Sequence, residues 1–408
     1  MKKSKLKSNS IYQLEEKIKK YGNSAIEEFL SNLKKSGAPI IEDIENDCEN
    51  NLVTFIYEGN KECASVLFVP DIGLDRFKDN YKDFKMERLM ETDLWYITYE
   101  VKNNLRFVYY FSPNDPLDDN WNDRFCSRVK YDIYCKNLLI FSEESPEEKG
   151  SYVIMPKSQE DIWSKEIKGV PKGNLEEYKF KSENLADKHR IRVYTPYGYN
   201  KYEKPYGFMV LNDGDDYIRL LSAIETLNNL IAFKKIAPIV AIFIDSTENR
   251  GKELKCNDSF CRVVAKEIIP WVRQSYNITE RPEDAIICGL SLGGLTAAYL
   301  GLKYPDTFGN VLSQSGYFCY EPEGYSSING DCWISTKFKE TNKLSLKFYL
   351  DMGVLETKYK IIDPNINLRD VLMDKGYNVD LQWFNGGHDY LSWGETLANG
   401  LISLVGIK

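Results

Sequence analysis

Hydrophobic residues near the start of the chain recur at intervals of three and four, the spacing of one face of an α-helix. The pattern is carried in order by Ile11, Leu14, Ile18, Ile26, Phe29, Leu30 and Leu33. Gly22 interrupts it halfway, at a point where a helix would end or bend. Residues 10–36 are therefore predicted to form one or two amphipathic helices.

Between residues 50 and 155 the pattern changes to short runs rich in β-branched and aromatic residues, separated by turn residues. These runs are LVTFIYEG, ASVLFVPDI, LWYITYEV, LRFVYYFSP and GSYVIMP. No long helical pattern interrupts them, so they predict an Ig-like antiparallel β-sandwich of about 100 residues. Its aromatic residues Tyr109, Tyr110, Trp121 and Tyr131 are either core residues, which is the commoner fate, or ligand contacts.

After a polar stretch over residues 156–188, short apolar runs alternate with helical patterns. The apolar runs are IRVYTPYG, YGFMVLND, IVAIFID, AIICGLS, VLSQSGY, LKFYLDMG and VDLQWFNGG, and the helical patterns cover 216–234, 258–275, 291–303 and 363–375. Such alternation predicts a mostly parallel sheet with helices on both faces. We therefore expect a first domain over 1–155, a linker over 156–188 and a second domain over 189–408.

The composition narrows the classes of function. The 408 residues carry a net charge of −8, which argues against nucleic-acid binding but leaves an anionic small-molecule ligand open. The nine cysteines contain no CxxC pair, so reduced thiols are expected rather than a metal site, and no cofactor is predicted. The basic N-terminus lacks the apolar run of a signal peptide and no membrane span is expected, which together predict a cytoplasmic protein. The pattern does not specify an oligomeric state.

The stretch ICGLSLGG places Ser291 in a Gly-x-Ser-x-Gly motif. The apolar run DAIICG precedes it and the helical run LTAAYLGLKY follows, so Ser291 is predicted on a strand-to-helix turn. Such a turn lies at the carboxyl edge of the sheet, where open α/β sheets bind ligands, and it requires small neighbours such as Gly289, Gly293 and Gly294. Ser291 is therefore the predicted nucleophile of an α/β-hydrolase-like domain, against the alternative of an idle serine in a glycine-rich turn.

A serine nucleophile needs a base, and the chain has two histidines. His388 follows the last predicted strand, as the α/β-hydrolase chain order of serine, acid and histidine requires, whereas His189 precedes every other candidate and is expected at the surface. The acid should follow the strand between serine and histidine, where Asp351 lies within the strand and Glu356 lies in the loop beyond it. The sequence therefore favours Ser291, Glu356 and His388 as a catalytic triad, with Asp351 as the alternative acid.

The oxyanion of an acyl-transfer intermediate needs two backbone N–H donors. One is expected from Leu292, the residue after the nucleophile, and the other from Gly214 or Asp215, after the strand YGFMVLND. The side chain of Asp213 is expected to organise that second turn.

Several longer motifs together resemble one family, the enterochelin (enterobactin) esterases, which are ferric-siderophore hydrolases. The motifs of the second domain are LNDGDD, IDSTENRGKELKCNDSF, IICGLSLGGLTAAYLGLKYPDTFGNVLSQSG, LDMGVLET and FNGGHDYLSW. In the first half, METDLWYITYEV and RFVYYFSP are similar to the N-terminal domain of the long, two-domain members. The resemblance extends over about residues 24–405.

The resemblance implies a cytoplasmic serine esterase whose substrate is a ferric or iron-free triscatecholate macrolactone built from N-(2,3-dihydroxybenzoyl)serine units. The family's serine and histidine map onto Ser291 and His388, and its glutamate in a Gly-x-x-Glu loop maps onto Glu356. Its arginine maps onto Arg250, whose guanidinium can bind catecholate oxygens and stack on their rings. Trp393 is either a further stacking contact or a core residue, with the core role more common.

Two other interpretations stay open on the sequence alone. Feruloyl and acetyl carbohydrate esterases also pair an Ig-like domain with a Gly-x-Ser-x-Gly domain, although they are usually exported. A non-enzymatic ligand-binding protein on a hydrolase scaffold is the third interpretation, although a binder has no need of a nucleophile, an acid and a histidine in this order. Assays on macrolactone and feruloyl substrates would separate the three.

Overall fold

The computed structural model describes residues 1–407 except 5, 7, 72–80, 119–122, 143, 144, 146, 147 and 326–329. The chain divides into two compact units. The first unit comprises Met1–Glu160 together with Asn385–Asp389, and the second comprises Asp161–Phe384 together with Tyr390–Lys408. A five-residue loop from late in the chain therefore groups with the first unit.

Two helices open the first unit, α1 over Asn9–Tyr21 and α2 over Asn23–Ser36. The Ser8 hydroxyl caps α1 by accepting a hydrogen bond from the Ile11 N–H at 3.3 Å. Gly22 separates the helices with a φ of 59°, which glycine adopts without the strain of a side chain. The helical prediction for residues 10–36 is confirmed, including the break at Gly22.

The rest of the first unit is antiparallel β-structure. Its strands are β1 Lys2–Lys3, β2 Ile40–Ile44, β3 Asp47–Glu58, β4 Val66–Pro70, β5 Glu87–Arg88, β6 Leu94–Lys102, β7 Arg106–Pro113, β8 Leu138–Ile140 and β9 Lys149–Ile154. Among the described residues they form one sheet of order β1-β6-β3-β2, with β5 on β6, and a second of order β4-β7-β9-β8. A single helical turn, α3, spans Tyr81–Phe84, and a π-helical turn spans Arg124–Arg128.

An aromatic core joins the two sheets of the first unit. The ring of Phe55 in β3 lies 4.2 Å from that of Phe68 in β4 and 4.7 Å from that of Tyr109 in β7. Tyr109 is fully buried and Tyr110 is 9% exposed, so both are core residues rather than ligand contacts. Trp121 lies outside the described residues, whereas Tyr131 is half-buried. The prediction of an antiparallel two-sheet domain is confirmed.

The second unit is built on a sheet that has eight strands within the described part of the chain. They are β10 Asn174–Lys181, β11 Lys188–Thr195, β12 Gly207–Asn212, β13 Ile239–Ile244, β14 Ala285–Leu290, β15 Asn310–Gln314, β16 Lys347–Gly353 and β17 Asn378–Phe384. Their order is β10-β11-β13-β12-β14-β15-β16-β17, and every pair from β13 to β17 is parallel. β10 and β11 are antiparallel to their neighbours.

Helices cover both faces of this sheet. They are α4 Gly214–Arg219, α5 Ala223–Ala232, α6 Arg250–Glu253, α7 Asp258–Val263, α8 Ile269–Ser275, α9 Leu292–Lys303, α10 Trp333–Glu340, α11 Asp363–Asp374 and α12 Tyr390–Val405. π-Helical turns at Val264–Ile268 and Lys358–Ile362 precede α8 and α11, and a 3₁₀ turn spans Pro282–Asp284. Alternate residues of β12 enter opposite cores, Val210 with α7 and α8, and Met209 with α5 and α12.

The predicted α/β-hydrolase-like architecture of the second unit is present, with one strand that the sequence did not indicate. β10 lies inside the stretch predicted as a polar linker. It is an edge strand with mostly exposed side chains, so it lacks the apolar signal by which buried strands are found. No helix among the described residues is long and apolar enough to cross a membrane.

Candidate active site

Ser291 lies between β14 and α9, with backbone angles of φ 53° and ψ −116°. A positive φ is uncommon for a residue with a side chain, and this combination is strained. Two backbone hydrogen bonds hold the turn: the Ser291 N–H donates to the Gln314 carbonyl at 2.9 Å, and the Ser291 carbonyl accepts from the Tyr317 N–H at 2.9 Å. The expected strand-to-helix turn is present, and the fold keeps its serine in a costly geometry.

The glycines around Ser291 are required by close packing. A Cβ atom at Gly289 would lie 2.3 Å from the carbonyl group of Gly293, and one at Gly294 would lie 2.4 Å from the Ser313 hydroxyl. Contacts this short do not occur between real atoms, so α9 can approach β14 and β15 only because these positions lack side chains. The Gly-x-Ser-x-Gly spacing thus follows from the packing of the turn.

The two candidate acids occupy different environments. Asp351 is fully buried in β16, where its Oδ1 accepts a hydrogen bond from the Ser315 N–H at 3.2 Å. Burial, with a further contribution from the nearby Glu356 carboxylate, raises the pKa of Asp351 to about 8. Glu356 lies in the loop beyond β16, and its Oε2 accepts a hydrogen bond from the Gly353 N–H at 3.0 Å. Asp351 is therefore mostly neutral at pH 7, and its hydrogen bond is to the neighbouring β15 turn.

His388 lies in the loop Asn385–Asp389 between β17 and α12, the loop that groups with the first unit. Within that unit, the Arg106 N–H donates to the first carbonyl of the loop at 3.0 Å. A Cβ atom at Gly387 would lie 2.4 Å from the Asp71 carbonyl oxygen, so glycine permits the close approach. The position of His388 after the last strand agrees with the predicted chain order. The hydrogen bond from the Arg106 N–H was not predicted, because it joins two backbone groups and does not depend on the side chains at these positions.

The two expected oxyanion donors begin helices that follow neighbouring parallel strands. Leu292 is the first residue of α9, and Gly214 is the first residue of α4, so both N–H groups lie where a helix leaves its donors unpaired within the helix. β12 and β14, which precede these helices, pair directly. A Cβ atom at Gly214 would lie 2.7 Å from the Phe243 Cβ, so glycine allows its turn to pack on β13.

Arg250 begins α6, and its side chain is 32% exposed. Its Nε and Nη2 donate to Oδ1 and Oδ2 of Asp213 at 2.6 and 2.8 Å, a two-point ion pair with a carboxylate that is wholly buried. Asp213 has left-handed backbone angles, φ 58° and ψ 45°, and directly precedes Gly214. The residue expected to bind substrate therefore also holds the residue expected to organise the Gly214 turn.

Two further residues considered in the sequence analysis, His189 and Trp393, are buried in the core. The expectation that His189 is on the surface was wrong, because His189 points inward from β11 and is 2% exposed, between the exposed Lys188 and Arg190. Its Nε2 lies 3.2 Å from Glu253 Oε2. Trp393 is 3% exposed, and its indole N–H donates to the Ser315 hydroxyl at 2.8 Å, so the core role accounts for its position. Within the described ranges, no cluster of three or more histidine, cysteine or acidic side chains could hold a metal ion.

Comparisons with known proteins agree with this architecture. A family model described as "Putative esterase" matches residues 182–404, and one described as "Enterochelin esterase, N-terminal" matches residues 52–163. The iron(III) enterobactin esterases of Escherichia coli O6:H1 (strain CFT073) and strain K12 are 28% and 27% identical to the chain over 362 residues, 85% of this chain and 88% of theirs. The enterobactin esterase of Shigella flexneri, solved in the presence of 2,3-dihydroxy-N-benzoyl-glycine, superposes with a TM-score of 0.74 and 25% identity, covering 92% of this chain and 98% of that one.

Proposed function

This chain belongs to the esterase family, and we propose that it hydrolyses the ester bonds of a catecholate siderophore macrolactone of the ferric enterobactin type. Two matches support this substrate: the N-terminal model of enterochelin esterases covers residues 52–163, and the iron(III) enterobactin esterases align over most of both chains. Hydrolysis releases separate dihydroxybenzoyl-serine units. These bind iron less tightly than the intact ring does, because the ring holds its three catechol groups together at a high effective concentration.

The strained backbone at Ser291 is the single observation that carries the proposal. The φ of 53° at Ser291 is less favourable in free energy than the negative φ of an ordinary residue before a helix. Such strain is typical of sites where the backbone must direct a side chain toward a ligand. A serine that merely filled a glycine-rich turn would gain nothing from this geometry. The proposed nucleophile is therefore Ser291.

The proposed reaction has two halves. The Ser291 Oγ attacks the ester carbonyl carbon while its proton passes to the His388 imidazole, and the N–H groups of Leu292 and Gly214 stabilise the oxyanion. His388 then gives this proton to the ester oxygen as the carbon–oxygen bond breaks. The alcohol departs and the acyl group stays on Ser291. A water molecule, deprotonated by His388, attacks the acyl group and releases the carboxylic acid and free Ser291.

Glu356 is the proposed acid of the triad. A triad carboxylate must be charged to stabilise the imidazolium that forms on His388. Burial raises the pKa of Asp351 to about 8, which disfavours its charged form at neutral pH, and its Oδ1 accepts a hydrogen bond from the Ser315 N–H. Glu356 also stands at the position of the glutamate in the Gly-x-x-Glu loop of the resembled family.

Arg250 is proposed to contact the trianionic ferric complex. A guanidinium has five N–H groups, of which the two-point pair with Asp213 uses two, and the side chain is partly exposed. We also propose that the first unit is an Ig-like sandwich. Two antiparallel sheets packed on a common aromatic core support that assignment.

The test is product analysis on three substrates with the purified full-length protein. Ferric and iron-free triscatecholate macrolactones should yield dihydroxybenzoyl-serine monomers and short oligomers by mass spectrometry, and Ser291→Ala should yield none. Preferential release of ferulate from feruloyl-arabinose esters would assign the chain to the carbohydrate esterases instead. Tight binding of the macrolactone without turnover by the wild type would identify a binding protein.

We propose that this hydrolysis takes place in the cytoplasm. The exposed Cys48 is a free thiol in the structure, which fits a reducing compartment. Fractionation of the native host, followed by immunodetection, tests this setting, and recovery of the protein outside the cytoplasm would refute it.

A further inference from the structure

The Asp213 carboxylate belongs to the residue directly before Gly214, one of the proposed oxyanion donors. Its side chain is wholly buried, and Arg250 binds both of its oxygens, while the Ser246 hydroxyl donates a further hydrogen bond to Oδ1. The neighbouring carboxylates form their hydrogen bonds elsewhere: Asp215 binds Arg192 and Arg219, and Asp216 accepts from the Tyr390 hydroxyl, although Asp216 is also close enough to Arg250 for electrostatic attraction. Arg250 is therefore the cation that compensates Asp213.

This carboxylate lies directly beside the nucleophile helix. A Cβ atom at Gly293 would be 3.0 Å from Asp213 Oδ2, and the amide of the preceding residue, Asn212, donates to the Gly293 carbonyl at 3.3 Å. Gly293 follows Leu292, which is one proposed oxyanion donor, and Asp213 precedes Gly214, which is the other. An uncompensated anion at this point would oppose the negative charge that develops in the transition state.

The turn that carries Gly214 also needs an external clamp. Asp213 has a left-handed backbone that costs free energy for any residue with a side chain, and Gly214 packs so closely on β13 that no other residue fits there. Arg250 reaches this turn from α6, which is itself fixed, since Glu253 of α6 pairs with the buried His189. The two-point ion pair thus joins one rigid element to the strained turn.

We propose that Arg250 is a positioning residue for the oxyanion site, in addition to any contact with substrate. Its guanidinium holds the Asp213 turn, so that the Gly214 N–H keeps its direction, and it neutralises the Asp213 carboxylate beside the Leu292 N–H. This role rests on the proposed esterase function, and it makes Arg250 necessary for esters that carry no charge at all.

The experiment compares the full-length wild type with Arg250→Ala on a neutral ester, p-nitrophenyl acetate. Arg250→Ala should lower kcat by about tenfold to a hundredfold, somewhat less than the loss of an oxyanion donor, with a smaller change in KM. Lys252→Ala is the matched control, because Lys252 lies in the same short helix and is exposed, and its kcat should equal that of the wild type.

The double variant Asp213→Asn/Arg250→Ala separates electrostatic compensation from simple support of the fold. Removing the carboxylate charge as well should restore part of the lost kcat, about threefold or more, because the repulsion disappears while the side chain keeps its shape. A double variant that is no faster than Arg250→Ala would overturn the compensation, as would an Arg250→Ala enzyme with wild-type kcat on the neutral ester.

Failure of the proposed esterase function would give a different result from failure of this proposal. If the wild type hydrolyses no ester, or if Ser291→Ala is equally active, the esterase mechanism fails rather than the role of Arg250. If Arg250→Ala does not fold, Arg250→Lys replaces it, since lysine keeps the charge but cannot bind both carboxylate oxygens. Arg250→Lys should then lose about tenfold in kcat, and an unchanged rate would overturn the proposal.

Discussion

Exchanging each candidate acid for its amide provides the sharpest test of the triad. Burial raises the pKa of Asp351 to about 8, so the protonated form predominates at pH 7. Asparagine has the same shape and is neutral, so Asp351→Asn resembles the group already present, and kcat/KM should stay within about threefold. Glu356→Gln removes the charge that orients and stabilises the imidazolium, so kcat should fall by about 10²–10⁴.

The Asp351→Asn substitution should also change how the stability of the protein depends on pH. The folded pKa of Asp351 is raised above the unfolded value of about 3.9, so the folded state binds more protons throughout the interval between them. The contribution of Asp351 to the free energy of unfolding therefore decreases as pH rises from about 4 to about 8, with a limiting slope near 1.4 kcal/mol per pH unit. Asp351→Asn removes that contribution, so its stability should decline less than that of the wild type over this range.

Urea unfolding at several pH values, together with steady-state kinetics at pH 7, measures both effects. Ser291→Ala serves as the control for stability, because it leaves both candidate carboxyl groups in place. A larger kinetic loss in Asp351→Asn than in Glu356→Gln would make Asp351 the triad acid. Identical dependences of stability on pH in Asp351→Asn and wild type would show that the buried carboxyl is not held neutral.

Three further predictions concern the nucleophile, its turn and the first unit. Ser291→Ala and His388→Ala should each lower kcat by at least about 10⁴ while calorimetry still detects binding of the ferric macrolactone, and activity within tenfold of wild type would exclude either residue from the triad. Gly289→Ala should yield an inactive and less stable enzyme, by thermal melting, because its Cβ would lie 2.3 Å from the backbone of α9. Arg124→Ala should cost about 3–5 kcal/mol in urea unfolding, because it leaves the buried Asp115 carboxylate, now bound at 2.7 and 2.8 Å, without its cation; a loss under 1 kcal/mol would contradict this.

Sequence pattern predicted those parts of the fold in which each element buries its own apolar residues. The strands β12–β16 are runs of mostly buried residues, and the turn at Ser291 depends on glycines that are visible in the sequence. The strand β10 was not found, because an edge strand with polar side chains has no apolar run to reveal it.

The sequence did not reveal properties of a residue that depend on a partner far away along the chain. His189 appeared to be a surface residue because nothing adjacent in sequence indicates that Glu253 lies beside it. The Asp213 side chain was expected to organise its turn, and the cation that binds this carboxylate, Arg250, comes from α6, the helix that follows β13. The distinction between a neutral Asp351 and a charged triad acid likewise required the burial that only the folded chain provides.

The loop Asn385–Asp389 has a consequence for the order in which a newly made chain matures. Its first carbonyl binds the N–H of Arg106 in β7, so residues that lie far apart in the sequence complete one unit. On the ribosome, at roughly 5–20 residues per second, the sheets of the first unit emerge many seconds before this loop does. The histidine therefore takes its place only after the sheets of the first unit have been made, and a chain that stalls before residue 385 contains those sheets but lacks the proposed base.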